Sequence, residues 1–220
     1  MPAARAAVAL LCLAASVTAR AQTTEIAARV LDAQGHGVAD AVVVAVPSDG
    51  DIRLPSRPRE GVIDQVNKEF TPQVTAILVG TSVTFPNNDN VRHQVYSFSP
   101  AKRFELPLYA GVPAQPIVFD KPGVVVLGCN IHDWMVGYVY VSESPYFAKT
   151  DAEGRALIAE LPPREYLVRV WHPRLDGTEE ATAKRIDASG AKHVDLELKL
   201  PLKPEGRIRR APTSERGGRY

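Results

Sequence analysis

The stretch Val124-Val125-Val126-Leu127-Gly128-Cys129-Asn130-Ile131-His132-Asp133-Trp134-Met135-Val136-Gly137-Tyr138-Val139-Tyr140-Val141 decides the reading of this chain. Its two β-branched runs, 124–127 and 136–141, read as strands. The short loop between them carries a thiol, an imidazole and a thioether. Cys129 ends the first strand, His132 sits in the loop, and Met135 precedes the second strand.

Thiolate and thioether are soft donors, and a His₂Cys set with a weak axial Met is the donor set of a blue-copper centre. That set needs one more imidazole. His93 is the candidate, in Val83-Thr84-Phe85-Pro86-Asn87-Asn88-Asp89-Asn90-Val91-Arg92-His93-Gln94-Val95. A strand reaches Phe85, a polar loop follows, and His93 opens the next strand. In a Greek-key sandwich this puts His93 at the same end as the Cys129 loop. Other chemistries fit less well. Covalent haem attachment needs a Cys-x-x-Cys-His, which is absent, and a structural zinc site uses more cysteines, or histidines without Met. A nucleophilic Cys129 would have only His132, three residues away, as an unusual base.

Working outward, the chain reads as all-β. Eighteen prolines and fifteen glycines punctuate short apolar runs in 220 residues, and no window carries a helical period. Strands are expected at 25–31, 41–46, 74–79, 82–85, 94–98, 116–119, 123–129, 136–141, 155–160, 165–171 and 193–200. Lys102, Arg103 and Glu105 read as a solvated loop face, and Tyr96, Phe98, Phe104 and Phe119 as core. His36, His172 and His193 are weaker metal candidates, most simply structural or exposed.

The metal motif resembles the cupredoxins. Cys129-x₂-His132-x₂-Met135 has the short spacing of amicyanin rather than the longer loop of plastocyanin, and Phe85-x-Asn87-x₅-His93 resembles the loop before the first ligand. The resemblance extends to exported proteins of the plastocyanin-like or methylamine-utilisation type. It implies one copper ion, Cu(I)/Cu(II), held by His93, Cys129, His132 and Met135. It also implies that Asn87 ties the two loops together and donates toward the Cys129 sulfur. His132 would be the ligand nearest the surface, with Trp134 and Pro86 in a flat docking patch.

The flanks resemble a carboxypeptidase-regulatory-like (transthyretin-like) sandwich, on Ile26 to Val43, on Thr150-Asp151-Ala152-Glu153-Gly154-Arg155, and on Leu161-Pro162-Pro163 with the strand after it. The implied organisation is a signal peptide at 1–21, a split sandwich at 22–48 plus 145–202, a cupredoxin domain at 60–142 and a disordered basic tail at 203–220. Alternatively, the flanks simply extend the cupredoxin sheets.

Arg5, the apolar run 6–17 and Ala19-Arg20-Ala21 form the charged, apolar and cleavage regions of a secretory signal. The run is too short to span a bilayer, so no stable membrane insertion is expected. Cleavage removes Cys12 and leaves Cys129 alone, and a lone cysteine in an oxidising compartment points to burial, reactivity or metal. It also removes Arg5 and Arg20 from 26 basic and 25 acidic residues, leaving a near-neutral chain with nothing to suggest nucleic acid. The expectation is a periplasmic one-electron carrier, not an enzyme, docking weakly on a cytochrome or dehydrogenase. A copper storage or delivery protein, and a structural or adhesive sandwich with a vestigial site, are the alternatives.

Overall fold

The computed structural model describes residues 23–57, 59–113 and 115–206. The expected signal peptide with Cys12, and the tail beyond 206, lie outside the described residues. The chain opens with β1 (Thr24–Leu31) and β2 (Val42–Pro47). Ten strands follow: β3 (Glu60–Val62), β4 (Asp64–Val66), β5 (Glu69–Thr71), β6 (Val74–Leu78), β7 (Thr81–Thr84), β8 (His93–Ser99), β9 (Lys102–Tyr109), β10 (Ile117–Phe119), β11 (Gly123–Gly128) and β12 (Val136–Ser142). The chain closes with β13 (Phe147–Lys149), β14 (Arg155–Leu161), β15 (Glu165–Trp171), β16 (Lys184–Asp187) and β17 (His193–Lys199).

Strands from the two ends of the chain share sheets. One sheet has the order β14-β1-β17, with β1 parallel to β17, and a second has the order β13-β2-β15-β16. Between them Ile26, Ala28, Val30, Val43, Ala45, Ile158, Tyr166, Val168 and Val170 form a core. The period-2 alternation of β1 sends Ile26, Ala28 and Val30 inward. The turn leading into β14 is seated by Gly154, whose φ of 77° favours glycine. A Cβ there would lie 2.3 Å from the Val30 oxygen and 2.8 Å from the Val38 nitrogen.

The middle of the chain makes its own layers. A five-stranded sheet, β6-β12-β11-β8-β9, faces the three-stranded β10-β7-β3, with the β4-β5 hairpin at one side. Val83, Phe85, Val95, Phe119, Val125, Leu127 and Val139 fill the space between. The strand order is not sequential, because the chain crosses between the two sheets in a Greek-key path.

The two sandwiches stack. β2 is buried on both faces: Val43 and Ala45 point into the first core, whereas Val42 and Val44 pack on Val74 and Tyr140 of the middle unit. Trp171 lies 5.6 Å from the Tyr140 ring and 6.0 Å from that of Tyr138. Polar ties cross the same seam. The Tyr140 hydroxyl donates to Glu179 Oε1 at 2.5 Å, and Lys149 Nζ donates to the Val74 carbonyl at 3.0 Å.

Several details depart from the sequence reading. Lys102, Arg103 and Glu105 belong to β9, not to a loop. β9 is an edge strand, which explains how it accommodates Pro107. Phe98 is 70% exposed, because its side of β8 faces away from the core. β3, β4, β5, β13 and β16 are three or four residues long, too short for a period to register. Lys203, where the tail was expected to begin, is held by its amide on the Arg174 carbonyl at 2.7 Å. No helix among the described residues is long and apolar enough to cross a membrane.

Candidate metal centre

The topology brings the proposed donors to one end of the middle sandwich. β8 runs antiparallel to β11, so the first residue of β8 and the residue after β11 lie at the same end. These are His93 and Cys129, which are 0% and 3% exposed. A register shift in β8 just after His93 lets the chain re-aim that side chain inward. The loop from Cys129 to β12 is closed by the Met135 amide, which donates to the His132 carbonyl at 2.9 Å. Met135 is itself buried, in the core cluster that also contains Cys129.

His93 Nδ1 lies 3.8 Å from Cys129 Sγ, and the His93 and His132 ring centroids are 5.0 Å apart. One donor atom from each of His93, Cys129 and His132 falls within 4.8 Å of the others, the one such group among the described residues. Donors about 2.1–2.3 Å from a shared ion in a plane stand about 3.6–4 Å apart, so the His93–Cys129 separation suits a single ion.

The polar bookkeeping of the two rings supports the fit. His93 Nε2 faces Asp89 Oδ2 at 3.0 Å, and since a carboxylate only accepts, Nε2 carries the proton. Nδ1 is then the bare nitrogen, and it faces the sulfur. His132 Nδ1 is buried with no hydrogen-bond partner. Buried polar atoms are rarely left so, and ligation of an ion is one standard reason. Burial foremost, with the Lys68 charge, holds the His132 imidazole below its usual range, which keeps its lone pair free for a metal. Two imidazoles, a thiolate and a nearby thioether match copper better than a hard cation.

Asn87 is also buried. Its Nδ2 donates to the Val91 carbonyl at 3.0 Å and to the Tyr109 carbonyl at 2.8 Å. It therefore ties the β7–β8 loop to the end of β9. Both its amide hydrogens are used, so the expected donation toward Cys129 sulfur is not made. Gln65, fully buried, donates to the Tyr109 hydroxyl at 2.5 Å, and that hydroxyl donates to the Phe85 carbonyl. Burial pushes the Tyr109 phenol up to about 12, so it stays a neutral donor.

Asp89, in contact with His93, is a residue of this site that sequence reasoning missed. Burial raises its carboxyl, but bonds from His93, Lys68 and Asn90 outweigh that and hold it below the usual carboxylate range. The available signal was a carboxylate four residues before the candidate ligand, inside the polar loop. Of the remaining histidines, His36 pairs with Asp32, and His193 with Glu25 and Asp195.

No protein-family model and no curated protein matches the chain. Solved structures do. A purple cupredoxin from Nitrosopumilus maritimus is 31% identical over 37% of this chain and 99% of its own, with a TM-score of 0.34. A copper-containing nitrite reductase from Thermus scotoductus is 31% identical over 41% of this chain but only 23% of its own, with a TM-score of 0.36. A reduced amicyanin variant is 19% identical over 47% of this chain and 99% of its own, with a TM-score of 0.34. Two facing sheets in Greek-key order, with His93, Cys129 and His132 gathered at one end by β8 and the β11–β12 loop, give the middle of this all-β chain the cupredoxin fold and a donor set suited to one copper ion.

Proposed function

We propose that the protein is an exported one-electron carrier in which His93, Cys129, His132 and Met135 hold one copper ion. The observation that carries the reading is the bare, buried Nδ1 of His132 beside a buried thiol and a fully buried second imidazole. Copper so bound supplies reversible one-electron exchange. The protein's own part is to hold the donors still. His93 sits on a strand end, and the Met135 amide pins the loop.

The exit for electrons is His132. It is only partly buried, whereas His93 is sealed, and the Trp134 ring lies 5.0 Å from it. Ile131, 49% exposed, extends the apolar rim. A patch of this kind suits weak, transient docking on a redox protein such as a cytochrome or dehydrogenase. The division into a copper domain at 60–142 and a split, transthyretin-like sandwich at 22–48 plus 145–202 is part of the same proposal, as is a periplasmic location set by 1–21. The flanking sandwich holds no metal-binding group among its described residues and serves as a mount.

Copper loading of purified protein tests this. A strong absorption band near ~600 nm is expected for the Cu(II)–thiolate, and Cys129→Ser should abolish it. No band after clean Cu(II) loading sinks the carrier reading. Fast reversible voltammetry supports a carrier, whereas copper release on reduction supports storage or delivery.

A further inference from the structure

Asp89 is held more firmly than a loop carboxylate needs to be. Its Oδ2 accepts from His93 Nε2 at 3.0 Å and from the Lys68 amide at 2.6 Å. Its Oδ1 accepts from the Asn90 amide at 2.9 Å, and its own amide donates to Asn87 Oδ1 at 3.1 Å. The Lys68 amide comes from a separate element, the β4–β5 hairpin, whose turn residues Asn67 and Lys68 both have positive φ, 54° and 60°. The Asp89 side chain is 9% exposed and that of His93 is 0%. Fixed backbone donors from two loops therefore aim this carboxylate at the far nitrogen of the buried ligand.

We propose that Asp89 is a positioning residue that locks His93 in the tautomer with Nδ1 bare and biases the copper centre toward its oxidised state. The inference rests on the copper reading above. The physical ground is twofold. A carboxylate accepting from Nε2–H makes the ring a stronger donor at Nδ1. Its negative charge, little screened at this burial, favours the more positive oxidised ion over the reduced one. Outer partners of metal-bound histidines typically contribute 10–100-fold in metal affinity. A tenfold loss confined to the oxidised state converts to a rise of about 59 mV in a one-electron potential.

The test uses the full chain with Asp89→Asn and Asp89→Ala. The first keeps the shape and an accepting oxygen but removes the charge; the second removes both. Reduction potential, Cu(II) and Cu(I) affinities and the ¹⁵N signals of the His93 ring in the metal-free protein are measured together. Both variants should keep the visible band and bind Cu(II) at least tenfold less tightly, with Cu(I) affinity changed less than threefold. The potential should rise by about 30 mV or more, and by about 59 mV where the Cu(I) affinity is unchanged. The metal-free alanine variant should lose the single Nε2–H tautomer. An unchanged potential in both variants overturns the bias, and an unchanged tautomer in the alanine variant overturns the positioning role. If the unmutated protein takes up no copper, the carrier reading fails, and the metal-free tautomer alone then decides the positioning role.

Discussion

Replacing Met135 by leucine separates the thioether from the space it fills. Met135 is 1% exposed in the same core cluster as Cys129, Phe85 and Phe119. Its polar tie is the backbone amide on the His132 carbonyl, which leucine keeps. A volume-conserving core swap of this type costs under about 1.5 kcal/mol. At about 2–4 °C per kcal/mol for a chain of this size, the metal-free protein should melt less than about 6 °C lower. Alanine at the same position leaves a cavity and costs about 2–5 kcal/mol. The redox effect should be common to both variants, because both lack the sulfur. A weak axial donor favours the oxidised ion, so its loss raises the potential, by about 59 mV for each tenfold change in relative affinity. Thermal melts of metal-free protein and spectroelectrochemical titration of loaded protein are the assays. A leucine variant with unaltered potential and copper affinity would refute Met135 as a donor. A potential that rises with alanine but not leucine would show that packing, not ligation, was at stake.

Gly154→Ala should destabilise the flanking sandwich by about 2–5 kcal/mol, from left-handed backbone strain and a clash with backbone atoms that cannot turn away; denaturant melts read this, and copper colour in the folded fraction should be unchanged. Trp171→Ala removes the ring that bridges Tyr138 and Tyr140 across the seam, so calorimetry should resolve two transitions in place of one while the visible spectrum stays the same. Burial raises the Glu179 carboxyl, an effect that the bond from Tyr140 and the Arg169 charge only partly offset. Between its ordinary 4.5 and the raised value the folded state binds more protons, so stability should fall as pH rises through that window. Glu179→Gln should flatten that slope in denaturant melts, and an unchanged slope would assign it to other groups.

The sequence made the Cys129 loop legible because its donors are local. Three residue types of matching chemistry sit between two recognisable strands, and topology had only to deliver one more imidazole. Asp89 was not legible in the same way. A carboxylate in an Asn-Asp-Asn run is ordinary in a turn, and its meaning depends on the Lys68 amide arriving from a distant hairpin. β9 was hidden because an edge strand buries little, so charged residues and Pro107 interrupt the apolar alternation that identifies inner strands. Phe98 misled for a related reason: strand membership gives alternation, but not which side a neighbouring layer will cover. Asn87 was expected to tie the two ligand loops together, whereas its side-chain amide bonds to the carbonyls of Val91 and Tyr109, in its own loop and at the end of β9.

The pairing of β1 with β14 and β17 sets the order in which the molecule can assemble. As the chain is delivered from its N-terminus, β1 emerges first, yet neither neighbour exists until more than a hundred residues later. The strands of the middle unit all find their partners within that interval. The metal-binding sandwich can therefore mature while the first strand is still an open edge, exposed to mispairing with other chains. Closing the mount is then a late, long-range event that slows folding. Chains cut short near the C-terminus should retain the copper chemistry and lose solubility.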